Sequence, residues 1–185
     1  MVQPNPRLKF TVKDYMSAPS DKRYQLLDGE MIVAPSPVTK HQDIVVRILL
    51  GLTQFVRQHN LGRVFVSPLD VVLSNHDVAQ PDILFVSNAR SAIITEANIQ
   101  GAPDLVVEII SPGTAAYDRG YKQALYGRHG VRESWLVDPD AETVEVLTLG
   151  EQGLVSLATY RRGDLIASPL LEDLALETDQ VFSQS

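Results

Sequence analysis

Glu108 lies inside the run Leu105-Val106-Val107-Glu108-Ile109-Ile110, bounded by Pro103 and Ser111. Such a run reads as a strand buried on both faces. A carboxylate in that setting takes a partner, takes up a proton, or costs several kcal/mol. Asp82 is placed in a related way. It follows Gln80-Pro81 and opens the apolar run Ile83-Leu84-Phe85-Val86. Proline withholds one ladder hydrogen bond and marks a strand edge or start. Each acid alone has a plain explanation. Glu108 would be a carboxylate near a sheet end, satisfied by backbone N–H groups or an arginine, and Asp82 a strand-opening residue facing water. Together they say more, because two such strands side by side would bring the carboxylates into mutual repulsion unless a cation intervenes. A hard divalent ion such as Mg²⁺ takes oxygen ligands, one or two of them carboxylates, and supplies Lewis acidity.

Three further residues join this constellation. Lys122 falls on the helix after the Glu108 strand, four residues beyond Asp118. That spacing equally suits an exposed i,i+4 ion pair. In a site, the ammonium would orient an attacking water or stabilise a pentavalent phosphate. Glu30 follows the Asp28-Gly29 turn, and His41 opens a helix on the side of Ile44, Val45 and Ile48. Both fit the rim of the same acidic site, as ligand or proton carrier. They also fit a solvent-facing strand residue and a satisfied helix-start histidine.

The elements that must position these residues follow from the pattern. Thr11 and Asp14 form a capping-box variant at a short helix stopped by Pro19. Tyr24-Gln25-Leu26-Leu27 and Glu30-Met31-Ile32-Val33 flank Asp28-Gly29 as a hairpin. Ser36-Pro37 would cap a helix whose apolar positions run from Ile44 to Val56 and which ends near Asn60-Leu61-Gly62. Strands follow at RVFVS, PLDVVLS and DILFVS, then a helix plus loop over residues 88–102, then the Glu108 strand. A second helix spans about Thr114 to His129 and ends at Gly130. ESWLVD and TVEVLTL are strands, and the remainder reads as further strands and a frayed tail. No repeat or linker interrupts the chain. The expected fold is α/β with one mixed central sheet.

Bulk properties narrow the classes. The chain has 185 residues, 44% hydrophobic and 21% charged, in the ordinary range for a globular domain. No apolar run approaches twenty residues, and the start MVQPNPRLKF has no apolar signal core, so neither membrane insertion nor export is expected. Cysteine is absent, which rules out disulfides, thiol nucleophiles and cysteine zinc sites, and fits a reducing cytoplasm. The net charge of −7 argues against a strong non-specific DNA binder without excluding a local basic groove. No Walker or dinucleotide fingerprint is present.

The stretches YQLLDGEMIVAPSPVTKHQ, PLDVVLSNHDVAQPDILFVS and GAPDLVVEIISPGTAAYDRGYKQALYGRHGVRESWLVDPDAETVEVL resemble the Uma family of restriction-endonuclease-like proteins, from about Tyr24 to Leu147. The resemblance implies the PD-(D/E)xK superfamily fold, a mixed central sheet flanked by helices, here with an N-terminal hairpin. It also implies a metal-dependent phosphodiesterase site acting on nucleic acid, DNA first among substrates, with Mg²⁺ or Mn²⁺. Pro81-Asp82 matches the PD element and Glu108-Ile109-Ile110 the (D/E)xK element, so Asp82, Glu108 and the Ile109 carbonyl would hold the metal. Ile110 stands where the superfamily's lysine belongs, and Lys122 is the residue that would replace it. Glu30 and His41 match positions typical of the family. A homodimer is the expected assembly for a duplex cutter. The rival expectation is a non-catalytic member that uses the fold as a binding module.

Overall fold

At Pro81 the chain crosses from one sheet to another. The computed structural model describes residues 9–19, 22–111, 113 and 115–183. The elements before the proline are α1 (Val12–Met16), β1 (Tyr24–Leu27), β2 (Glu30–Val33), α2 (Thr39–Gln58), β3 (Gly62–Val66), β4 (Val71–Ser74) and β5 (Asp77–Ala79). After it come β6 (Ile83–Ser87), a 3₁₀ segment (Asn88–Ile93), β7 (Ile99–Gln100) and β8 (Leu105–Ile109). A π-helical turn (Tyr117–Tyr121) leads into α3 (Lys122–His129). The chain ends with β9 (Glu133–Asp138), β10 (Thr143–Gly150), β11 (Gly153–Arg161), β12 (Leu165–Ile166), β13 (Leu176–Glu177) and α4 (Thr178–Phe182).

The expected single sheet is two larger sheets and a small ribbon. One has the order β2-β1-β5-β4-β7, the other β11-β10-β9-β8-β6-β3, and β12 pairs with β13. Both larger sheets are mixed: β4 runs parallel to β7, and β8 runs parallel to β9. One of the crossings between them has a local cause. β5 ends at Ala79, β6 begins at Ile83, and the connector Gln80-Pro81-Asp82 contains a residue that cannot donate to a ladder. The chain therefore leaves one sheet and enters the other across three residues.

The six-stranded sheet forms the middle layer, and the period-2 alternation of its strands divides two cores. Ile83, Phe85, Leu105, Val107 and Ile109 face α2, which buries Ile44, Val45, Ile48, Leu52, Phe55 and Val56 against them. Leu84, Val86 and Val106 face the other way, toward Leu125 and Tyr126 of α3 and Leu27, Val71 and Ala79 of the smaller sheet. Each fully buried aliphatic side chain contributes roughly 1.5–3 kcal/mol to this packing. All five residues of β8, including Glu108, are buried.

Local expectations hold at several points. The capping box at Thr11 and Asp14 is formed. The hairpin pairs Tyr24 with Val33 and Leu27 with Glu30, with Asp28 and Gly29 both at positive φ. Asn60 takes the left-handed position after α2. Other expectations are corrected. The N-cap of α2 is Val38, with no side-chain cap bond, so Ser36-Pro37 lies before the helix rather than capping it. Pro37 would force Ser36 into extended backbone, which fits that placement. The tail is not simply frayed, since Val181 and Phe182 of α4 are buried in the α2 core. The second helix begins with a π turn, and its expected start at Thr114 lies outside the described residues. Gly127 lets that helix sit close: a Cβ there would stand 2.7 Å from the Leu154 backbone nitrogen of β11.

Candidate active site

The register of β6 and β8 explains how two carboxylates come together. Ile83 pairs with Val107, so one step further along the same register Asp82 comes opposite Glu108, on the face that looks toward α3. A second step sets Pro81 opposite Ile109, where the ladder lacks its donor. The Asp82 side chain takes the other polar group of that residue, its Oδ2 accepting the Ile109 N–H at 2.8 Å. The Ile109 carbonyl lies against the His41 imidazole. His41 reaches in from the first turn of α2 and pairs through Nε2 with Asp82 Oδ2 at 3.2 Å.

Glu108 is 2% exposed and held on both oxygens. Lys122 Nζ lies 3.1 Å from Oε2, and the Tyr126 hydroxyl donates to Oε1 at 2.5 Å. Lys122 also pairs with Asp118 at 2.9 Å. Lys122 is only 3% exposed and Asp118 2%, which settles the choice left open by spacing: this is a buried ion pair, not a surface one. Asp118, Lys122 and Tyr126 follow one another at four-residue intervals across the π turn and α3, so they share a helical stripe facing β8. π turns recur at functional sites because the added residue re-aims the side chains around it.

Electrostatics follow from burial. Desolvation pushes the Glu108 carboxyl up to about 8, against the pull of Lys122 and with the push of Asp118 and Asp82. Burial would lower Lys122, but Glu108 and Asp118 outweigh it and hold the ammonium above the ordinary lysine range. Burial likewise opposes charge on His41, yet its hydrogen bond to Asp82 and the Asp82 charge raise it overall. Burial and the Glu108 charge raise the Tyr126 hydroxyl, keeping it a donor.

These groups line a cavity of about 270 Å³ at the seam of the two sheets. His41, Asp82, Glu108, Ile109, Asp118 and Lys122 all reach it, as do Arg23, Gln25 and Gln80. Glu30 is not brought to this group: it is exposed at the start of β2 and does not line the cavity. Tyr126 and Gln25 are not among the residues expected from sequence, and Asp118 enters there only as the partner of a surface ion pair. The four-residue spacing from Lys122 was the available signal for Asp118 and Tyr126.

Among the described residues, no three His, Cys, Asp or Glu side chains form a ready-made metal shell. The donors present nonetheless suit a hard divalent ion, which takes one or two carboxylates and keeps several waters. Asp82 lines the cavity, and its Oδ1 makes no hydrogen bond or ion pair with the described residues. Glu108 and Ile109 line the same cavity.

Phenylalanine at Tyr126 tests the Glu108 anchor. Tyr126→Phe removes one donor from a buried carboxyl and is expected to cost about 1–2 kcal/mol of stability. Urea unfolding measures this. A loss below a few tenths of a kcal/mol would show that the hydroxyl does not hold Glu108.

Comparison with known proteins agrees with this architecture. Residues 12–179 match the family model Uma2, described as "Putative restriction endonuclease". The chain belongs to the Uma2 family. A curated relative, "Uncharacterized protein slr1290" of Synechocystis sp. (strain ATCC 27184 / PCC 6803 / Kazusa), is 24% identical over 162 residues, covering 84% of this chain and 83% of the relative. The crystal structure of a "putative nuclease belonging to DUF820" from Anabaena variabilis ATCC 29413 superposes with a TM-score of 0.79 at 24% identity. It covers 94% of this chain and 98% of that one. The fold is thus the restriction-endonuclease-like α/β fold, with mixed sheets flanked by helices.

Proposed function

We propose that this chain is a Mg²⁺-dependent endonuclease that hydrolyses phosphodiester bonds of nucleic acid, DNA first among substrates. The observation that carries this reading is the meeting of Asp82, Glu108 and Lys122 on the wall of one cavity. The description of the Uma2 family and the nuclease assignment of the Anabaena protein support it.

Asp82, Glu108 and the Ile109 carbonyl would hold the ion, with Mn²⁺ as a substitute. When bound, the ion supplies Lewis acidity at the phosphate. Lys122, fixed between Glu108 and Asp118, orients the attacking water. His41 keeps Asp82 in place through Nε2. In the net reaction the water oxygen bonds to phosphorus and releases a proton, while the bond to the leaving oxygen breaks and that oxygen gains a proton. A two-fold dimer belongs to this proposal, since cutting both strands of a duplex takes two sites.

The test is cleavage of plasmid and single-stranded DNA in Mg²⁺, Mn²⁺ or EDTA, with Asp82→Asn as control. Cutting is expected with either metal, with none in EDTA. A fall of at least about 100-fold is expected in the variant. Equal cutting by Asp82→Asn and the parent would reject the assignment. The rival reading, a binding module on the same fold, draws on Ile110 at the superfamily's lysine position. It gains if the purified protein binds nucleic acid but never cuts. Lys122, with Nζ 3.1 Å from Glu108, supports the catalytic reading against it.

A further inference from the structure

The cavity lining carries groups of opposite character. Asp82, Glu108 and Asp118 are acidic. Arg23 and Gln25 line the same cavity, two residues apart in an extended segment and so projecting to the same side. Gln25 is 7% exposed, and its orientation is fixed by backbone. Its Oε1 accepts the Gln80 N–H at 3.0 Å, and Gln80 is itself tied by Nε2 to Asp70 Oδ1 at 2.8 Å. The amide oxygen being committed, the two N–H donors of Gln25 remain. No acceptor among the described residues takes them, and the side chain lines the cavity. Arg23 is exposed and makes no ion pair among the described residues. Val38, the N-cap of α2 with no side-chain cap bond, lines the cavity too, which adds the positive end of a twenty-residue helix.

We propose that Gln25 and Arg23 form the phosphate-holding wall of this site. The Gln25 amide donates to a non-bridging oxygen of the substrate phosphodiester, and Arg23 pairs with a phosphate at the cavity mouth. This rests on the endonuclease reading and adds which residues hold the anion. Carboxylates repel a phosphate, so an anion held in this cavity needs fixed donors of its own. An uncharged amide supplies donors without competing for the cation. A guanidinium matches phosphate geometry with two parallel donors.

Gln25→Glu isolates the effect, because glutamate keeps an acceptor for the Gln80 N–H and exchanges only the donor for a negative charge. Anisotropy of fluorescein-labelled single-stranded and duplex oligonucleotides in Ca²⁺ reads binding. Calorimetry with Mg²⁺ alone reads the metal site. Gln25→Glu is expected to weaken oligonucleotide binding at least about tenfold, and Arg23→Ala by roughly three- to tenfold. Mg²⁺ affinity is expected to stay at the parent value in both, and melting temperature in Arg23→Ala. Parent-like oligonucleotide binding by both variants, in a protein that binds and cuts, removes this inference and leaves the endonuclease reading standing. Tighter Mg²⁺ binding by Gln25→Glu also overturns it, by making position 25 part of the metal shell. A parent protein that neither binds nor cuts any oligonucleotide overturns the endonuclease reading, and the phosphate wall with it.

Discussion

Glu108→Gln is expected to leave the metal-free protein at least as stable as the parent while abolishing its affinity for divalent cations. The carboxyl is 2% exposed, and its burial beside Asp118 and Asp82 raises it from 4.5 to about 8 despite Lys122. Its folded value thus lies above its unfolded one. Between about pH 4.5 and pH 8 the native chain holds a proton that the unfolded chain has released. Stability from this group therefore falls as pH rises through that window, and the full loss is present above it. Glutamine does not titrate. It keeps an acceptor for the Tyr126 hydroxyl and matches the shape of the acid, so the variant escapes this loss. The variant's advantage over the parent should grow from near zero at pH 5 to roughly 1–3 kcal/mol at pH 8. Urea unfolding in EDTA at the two pH values measures it. Identical pH slopes for the two proteins would mean that Glu108 is ionised in the native state and already compensated. Calorimetric titration with Mg²⁺ or Mn²⁺ supplies the second half, since one of only two carboxylates assigned to the ion is removed. A variant that is stable, folded and unable to bind metal separates the function of this residue from the fold that buries it.

The same carboxylate shows what a sequence can and cannot disclose. The run from Leu105 to Ile110 announces a doubly buried strand, and an acid inside it stands out against that pattern. The hairpin at Asp28-Gly29 and the apolar stripe of α2 are equally plain, because local backbone preference and burial agree there. What spacing could not supply is phase across sheets. Pro81 reads as a strand start, but its larger effect is to pass the chain from one sheet to the other and leave Ile109 without a ladder partner on the β6 side. That depends on which strand lies opposite, a long-range matter. Tyr126 and Gln25 escaped notice for a different reason. Neither is an acid or a base, and a tyrosine on an apolar helix face or a glutamine in a hairpin strand is ordinary by type. Their importance comes from Glu108 behind one and the Gln80 N–H behind the other. Glu30 has the opposite history: an acid beside a turn, close to the site in sequence pattern, sits on an exposed strand.

Removing the cation that Lys122 supplies should cost more than any other single change in the cluster. Lys122→Met is expected to destabilise the protein by about 3–5 kcal/mol, the range for leaving one member of a buried ion pair alone. Methionine fills the volume of the lysine stem, so packing is largely kept and the loss is electrostatic. Asp118 is 2% exposed and has its ion pair with Lys122 at 2.9 Å, so it would be left as a buried carboxylate without its cation. Glu108 already holds its proton below about pH 8, so it loses little when the cation goes. The damage should therefore be concentrated at Asp118, and Lys122→Met combined with Asp118→Asn should recover most of the lost stability. A double-mutant cycle of Lys122→Met and Asp118→Asn, read by urea unfolding in EDTA, would give a coupling energy of about 2–3 kcal/mol. A loss under about 1 kcal/mol for Lys122→Met alone would show the pair to be hydrated and weak, like a surface bridge. Cleavage assays on the rescued double variant then isolate chemistry from stability. If Lys122 orients the water, that protein is folded yet inactive; if activity returns with stability, the lysine served only to balance the carboxylates around it.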